Sequence, residues 1–424
     1  MEHILEIQQN YSVDDSIKSY EHYAYQPISG TQLNSPGEIT IRIENQDAFF
    51  YPRKSWLELE GTLTKAAGTA YVDADLVTLV NNGPLFLFEN IKYELSGQEI
   101  ESVYHPGQAT TILGLCKYSR PVMNQCWQLD TGTGAASVTA NDGFTERHAY
   151  IIKSPNPKGS FRFCIPLDHV FGFCEDYDKI MYGFVHALTL VRGGSDDNAI
   201  FRLAAAGAGK VTLTSIKWQM PKIVPSDAEN FRLYKIIESK TTIDVGFRMR
   251  QLTSVQLPVA KNFTWRLGIR SAPEKPRYIM IAFQTSLEGD QEKNTANYDH
   301  CDLTNIFVLL NNVRYPAIDF NANFTKNHYG NLYKNMAEFI ERYYGLDPMV
   351  HAIQTDPVTY RTLFPIYVID VSKQSERLQQ GVVDITVEMS FEKNVTANTN
   401  AHALLISDRK LKFKSDGKKM NIIY

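Results

Sequence analysis

The sequence predicts an all-β protein made of two tandem β-sandwiches joined by a short helix. Three observations carry the prediction. Apolar–polar alternations of period two recur along the chain with turn residues between them, and helical periodicity is confined to brief stretches. Residues 85–118 read as strand, tight turn, strand, loop and short helix, and residues 301–345 repeat that order. Ile306 and Leu310 stand 215 residues beyond Ile91 and Leu95, and Asn311-Asn312 takes the place of Ser96-Gly97. That offset is roughly half of a 424-residue chain, far beyond the roughly 20–50 residues of a solenoid repeat. The helices that a parallel βαβ sheet needs between its strands are missing from the pattern.

Taken in order, residues 1–29 lack periodicity, are rich in Gln, Ser, Tyr and Asp, and read as an N-terminal arm. Ile39, Ile41 and Ile43 share one face of the first strand, and residues 56–63 form the next. The apolar run 85–88 leads into Ile91, Tyr93 and Leu95, which alternate with Lys92 and Glu94; Ser96-Gly97 is a turn pair. Ala109, Ile112, Leu113 and Cys116 make one helical face over residues 108–118. Residues 130–143 (DTGTGAASVTANDG) form an exposed loop, residues 150–165 strands about a Pro-Asn-Pro-Lys-Gly turn, and residues 183–192 and 211–218 strong strands. At the junction Pro221 and Pro225 stop the strand, and Ser226 with Glu229 gives a capping box that opens a helix to about Ser239. The second half alternates at Ile243, Val245, Phe247 and Met249, again at Phe263, Trp265, Leu267 and Ile269, and again over 383–391. Residues 278–283 read as a buried strand. A helix over 332–344 buries Leu332, Met336, Phe339, Ile340 and Tyr343, with Asn331 as its cap and Gly345 as its stop. Residues 403–406 and 410–414 are the last strands. The division is arm 1–29, first sandwich 30–220, linker helix 221–240 and second sandwich 241–424.

Hydrophobic residues at 43% suffice for two sizeable cores, and a net charge of −4 gives no overall basic field for nucleic acid. The N-terminus carries acidic residues where a signal peptide needs basic ones, and no run reaches the 18 or so apolar residues of a membrane span. The chain is expected in cytosol or nucleus. Its five cysteines, Cys116, Cys126, Cys164, Cys174 and Cys301, are odd in number and irregularly spaced, so reduced, mostly buried thiols are expected. Without a secretory route the Asn-X-Thr triplets at Asn262, Asn323 and Asn394 carry no glycan.

Four stretches invite chemistry. The run 204–212 (AAAGAGKVT) has Ala204 where a phosphate loop needs glycine and Val211 where it needs Ser or Thr, so it is an exposed turn. Asp168 and His169 lie near Cys164 and Cys174, but with no second ligand pair they read as a packed histidine and buried thiols. Glu175, Asp176 and Asp178 lack the spacing of a calcium loop and read as a solvated turn. Arg409, Lys410, Lys412, Lys414, Lys418 and Lys419 offer charge to nucleic acid, yet alternate with Leu411 and Phe413 as a charged edge strand does. No catalytic, cofactor-binding or metal-binding residue is assigned, and no enzyme activity is expected.

Several stretches together resemble one family: residues 168–193 (DHVFGFCEDYDKIMYGFVHALTLVRG), SAPEKPRYIMIAFQT from Ser271, DVSKQSERL from Asp370 and LLISDRKLKFKSDGKKMN from Leu404. They resemble the double-jelly-roll major capsid proteins of the polinton-like and adintovirus-like group, viral or virus-derived proteins of animal genomes. The similarity runs from about Ser35 to the C-terminus. It implies two eight-stranded jelly rolls side by side with short flanking helices. It also implies homotrimers of pseudo-hexagonal outline that tile an icosahedral shell against neighbouring capsomers and penton or minor capsid proteins. The Gly-rich loops become outer decorations; in such a shell the charge of the basic C-terminus, secondary to its edge-strand reading, offers at most weak contact with packaged DNA. The competing reading is a soluble ligand- or carbohydrate-binding β-sandwich.

Overall fold

Strand pairing sorts the chain into two sandwiches of the same strand order in the computed structural model, which describes residues 15–28, 30–132, 140–267, 274–347, 352–373, 383–417 and 419–423. The first half contributes β1 (Ile17–Tyr25), β2 (Gly37–Ile43), β3 (Phe49–Phe50), β4 (Trp56–Lys65), β5 (Val77–Leu79), β6 (Phe88–Leu95), β7 (Gln98–Tyr104), β8 (Ser160–Pro166), β9 (His186–Arg192), β10 (Ile200–Arg202) and β11 (Gly209–Pro225). Its sheets run β1-β11-β4-β8, with β3 beside β11, and β2-β9-β6-β7; β5 and β10 form a separate ribbon. Helices α1 (Pro106–Lys117), α2 (Asp142–His148), α3 (Leu167–Val170) and α4 (Gly172–Asp176) lie in its connections, and α5 (Asp227–Glu238) leads into the second half.

The second half contributes β12 (Thr242–Gln256), β13 (Asn262–Leu267), β14 (Lys275–Thr285), β15 (Leu303–Leu310), β16 (Val313–Tyr315), β17 (Tyr367–Asp370), β18 (Ile385–Phe391), β19 (Thr399–Ser415) and β20 (Met420–Ile423), with α6 (Gly330–Ala337), α7 (Phe339–Tyr344) and α8 (Pro357–Thr362). Its sheets run β12-β19-β14-β17, with β20 beside β19, and β13-β18-β15-β16. Each of the eight strands in the two main sheets of one sandwich therefore has a counterpart at the same place in the other; the β5–β10 ribbon has none. Each sheet mixes early and late strands of its half, the interleaving of an eight-stranded jelly roll. The fold is a double jelly roll.

Local sequence accounts for most of these elements. Ile39, Ile41 and Ile43 are fully buried while Glu38 and Arg42 on the same strand are exposed. The repeated hairpins turn at Ser96-Gly97 (φ +49°, +82°) and Asn311-Asn312 (φ +46°, +70°), two residues in the left-handed region each time. Such turns match the twist of the flanking strands, and Gly and Asn tolerate them. On α6 and α7, Met336 and Phe339 are buried; each buried apolar side chain is worth about 1.5–3 kcal/mol, so packing rather than propensity holds these short helices.

The structure departs from the sequence reading in several places. Residues 17–25 are not an arm but β1, paired along β11 from Tyr25 opposite Trp218 to Ile17 opposite Pro225. Pro221 does not stop β11, because its carbonyl still accepts the Tyr51 N–H at 3.0 Å while the strand runs on to Pro225. Ser226 is the N-cap of α5, but its side chain makes no capping bond. The 332–344 helix breaks at Glu338 into α6 and α7, and Tyr329 rather than Asn331 is the N-cap; Gly345 (φ +66°) ends it as expected. Residues 403–406 and 410–414 are one strand, β19, with β12 on one side and β14 and β20 on the other, so the lysines are not on a sheet edge. Tyr150 sits in a π-helical turn over Ala149–Lys153. The 130–143 loop has buried ends, Asp130 and Asn141. Residues 1–14, 133–139, Ile269 and Lys418 lie outside the described residues.

Candidate functional site

Of the residues singled out from the sequence, Asp168, His169, Glu175 and Asp176 converge on one place, the joint between the two sandwiches, where they meet residues the sequence did not flag. From the first half come Glu101 on β7, Lys117 at the end of α1, Asp168 and His169 on α3, and Glu175 and Asp176 on α4. From the second come Arg248 and Arg250, two apart on β12 and so on one face of it, and Tyr343 and Tyr344 at the end of α7.

Arg250 is the centre. Its side chain is 1% exposed. Its Nη2 donates to Glu175 Oε2 at 2.6 Å and to the Asp168 carbonyl at 3.1 Å, and its Nη1 donates to the His169 carbonyl at 2.5 Å. Lys117 also donates to Glu175, as do the hydroxyls of Tyr344 (2.6 Å) and Tyr343 (3.3 Å). Arg248 forms a two-pronged pair with Asp176, donates to the Tyr343 carbonyl at 2.7 Å, and lies 3.6 Å above the Tyr343 ring. Its planar fork makes a two-pronged pairing that a lysine's single ammonium does not. The acidic run is therefore no solvated turn: two of its carboxylates are the anions of a joint between halves.

Backbone contacts seal the same joint. The Glu101 carboxylate is fully buried and accepts the Arg250 N–H at 2.8 Å and the Phe173 N–H at 2.9 Å. It thus ties β12, at the edge of its sheet, to α4 of the other sandwich. Gly172 brings the backbones so close that a Cβ there would stand 1.7 Å from the Arg248 carbonyl oxygen. Further along, Gln108 donates to Gln284 at 2.8 Å and accepts the Tyr298 hydroxyl at 2.7 Å. Asp130, paired with Arg147 at 2.8 Å with both side chains fully buried, accepts from Asn294 at 2.7 Å. A buried polar contact of this kind is costly unless its partners are matched across the joint.

The electrostatics follow from burial. Burial pushes the Glu101 carboxyl up to about 7, against the pull of Arg250 and the backbone N–H groups. Burial also acts to raise Glu175, but Arg250 and Lys117 outweigh it and hold that carboxyl well below the usual range. His169 is pushed well below its ordinary value by burial, then by Lys117 and Arg250; its Nδ1 pairs with the Tyr118 hydroxyl at 2.9 Å. Burial raises the thiols of Cys164 and Cys174, so neither is an activated nucleophile. The arrangement suits rigid coupling of two bodies rather than bond making.

The remaining candidates fall elsewhere. Gly209 enters β11 and exchanges two hydrogen bonds with the Gln291 side chain, so the Gly-Lys run is spent on structure. Lys410, Lys412 and Lys414 are exposed on one face of β19 while Leu411 and Phe413 are buried, and Lys412 lies 3.7 Å from Asp244. Arg409 turns instead toward the joint and donates to the Ile100 carbonyl at 2.9 Å. Sequence reasoning missed Glu101, Arg248 and Arg250. The available signal was the pair of arginines two apart on β12, on the face opposite Val245, Phe247 and Met249.

A sequence profile of the double jelly roll-like domain matches residues 77–411. The chain belongs to the double jelly roll-like domain family. No curated protein matches it by sequence. Among solved structures, this double jelly roll is similar to the PBCV-1 virus capsid (TM-score 0.57, 12% identity, 99% of each chain covered). It is also similar to the Sputnik virophage structure (0.59, 9%, 99% of this chain and 91% of that one) and the mavirus major capsid protein (0.55, 11%, 98% and 92%). At such identities the likeness establishes the fold.

Proposed function

We propose that the protein is the major capsid protein of a virus or virus-derived element, of the polinton-like or adintovirus-like group. It builds homotrimers that tile an icosahedral shell. The observation that carries this reading is the pair of sandwiches with one strand order, held rigidly side by side by the Arg250 joint. Two equivalent towers per chain become six in a trimer, a pseudo-hexagonal tile. The PBCV-1 capsid and the mavirus major capsid protein share this fold, which supports a structural rather than enzymatic role. In this reading each sandwich is one unit, residues 17–225 and 242–423, with α5 as the link. The partners are neighbouring capsomers and penton or minor capsid proteins, and the exposed β19 lysines make weak contact with packaged DNA. The protein is made in host cytoplasm or nucleus and resides in the virion.

Obligate interfaces of such assemblies bury on the order of 2,000 Å² or more. Mass photometry over a dilution and salt series, with electron microscopy of the purified protein, tests the reading. Trimers and particles are expected; a 48.2 kDa monomer under every condition overturns it.

A further inference from the structure

An open cleft of about 750 Å³ lies at one end of the second sandwich. β14 ends there at Thr285 and β19 begins there at Thr399, whereas β19 finishes beside the start of β12, just after α5. The cleft and the linker helix therefore occupy opposite ends of the sandwich. The β14–β15 connection supplies Asp299, His300 and Asp302, the β18–β19 connection supplies Lys393 and Asn394, and α8 supplies Arg361.

The lining is polar and its charges cancel. Asp302 lies 2.6 Å from Lys393 Nζ, and Asp299 accepts the Thr285 N–H at 2.7 Å, while Arg361 donates to Asn327 at 2.7 Å. His300 Nδ1 accepts the Asp302 N–H at 2.9 Å, and its ring stacks flat on Phe324 at 4.4 Å. Burial lowers the His300 pKa, against the opposing pull of Asp302 and Asp299. Two carboxylates thus face two cations. A polyanion or a polycation gains nothing here, because each meets as much repulsion as attraction. What remains is a dense alternation of planar donors and acceptors: carboxylate, amide and guanidinium. Neighbouring hydroxyls, which donate and accept in turn, match that set. The volume falls in the range of small-molecule sites, about 300–1,000 Å³. Cys301 (φ +49°) and Asp302 (φ +51°) turn the chain at the cleft through two successive left-handed conformations.

We propose that this cleft binds a neutral saccharide. Its role as an attachment site on the outer face of a shell rests on the capsid reading above; binding itself does not. The purified full-length chain is applied to an array of neutral, sialylated and sulfated glycans, and hits are titrated calorimetrically against the parent, Arg361→Ala, Asn394→Ala and Lys393→Ala. A subset of neutral glycans should bind, and affinity should fall about tenfold or more in Arg361→Ala and Asn394→Ala with melting temperatures unchanged. Should Arg361→Ala not fold, the exposed Asn394 and Lys393 carry the comparison. No bound neutral glycan, or binding that these variants leave intact, overturns the proposal. So does binding confined to acidic glycans and abolished by added salt. A monomer that binds glycans removes the shell reading alone, and a particle that binds none removes this one alone.

Discussion

Arg250→Met removes the cation at the centre of the joint while keeping much of the side chain's bulk. The guanidinium donates to one carboxylate and two carbonyls in a site with 1% exposure, so water does not replace what is lost. Breaking a buried ion pair by removing one partner costs about 3–5 kcal/mol. Glu175 keeps Lys117 and two tyrosine hydroxyls, which places this case in the lower half of that range. The cost falls on the contact between sandwiches, not on either core. Urea unfolding should therefore change shape as well as midpoint: one transition in the parent, two in the variant. Tryptophan fluorescence reports mainly on the first sandwich, which holds Trp56, Trp127 and Trp218, while far-ultraviolet circular dichroism reports on both. Adding Glu175→Gln to Arg250→Met should recover part of the loss, with a coupling of about 0.5–3 kcal/mol. A loss under about 1 kcal/mol, an unsplit transition and strictly additive variants would together refute the view that this pair locks the halves.

Gly172→Ala forces a methyl group against the Arg248 carbonyl and should cost at least the roughly 1–3 kcal/mol of overpacking, whereas Gly330→Ala, with nothing near its added Cβ, should be silent; thermal melts of both check this. Stability should pass through a maximum in mildly acidic solution. Glu101, raised to about 7, contributes stability that is complete below its unfolded value and lost as pH rises through about 7. Glu175, held low, contributes stability present above its unfolded value and lost as pH falls toward its native one. Urea midpoints across pH test both arms, and Glu101→Gln should flatten only the alkaline one. Met336→Lys buries an unpaired charge where the parent side chain is fully covered and should cost several kcal/mol, on the order of 3–5. Glu338→Lys loses exposed pairs with Lys334 and Arg342 worth about 0.2–0.5 kcal/mol each and should melt like the parent; equal melting temperatures for Met336→Lys and the parent would show that face to be unburied.

Strands with a buried face were legible because period-two alternation reports burial directly, as at Ile39, Ile41 and Ile43. β1 was not, because IKSYEHYAY lies at a sheet edge with most of its residues exposed and so has no apolar face to read. The β19 lysines misled for a related reason: alternation reveals which face meets solvent, not whether a neighbour strand lies to each side. Helix α6–α7 was read from its apolar stripe, but the break at Glu338 leaves that stripe intact and so gives no sign. The joint was half visible. Its anions form a run at Glu175-Asp176, but their partners stand more than 70 residues away on another sandwich, a pairing that no local pattern encodes.

β1 and β12 hold equivalent places in their sheets, yet their outer edges fare differently. The first sandwich of the same molecule covers β12 through Glu101 and α4, while no strand pairs with the outer edge of β1 among the described residues. One molecule thus has a head that is already occupied and a tail that is not, although its halves share a blueprint. Contacts between unlike surfaces either close into a ring or run on as a filament. An open backbone edge left at a growing end is an invitation to indiscriminate pairing. If three copies close a ring in which each β1 edge meets a neighbour, closure retires every open edge at once, and an incomplete ring is the species from which misassembly would start.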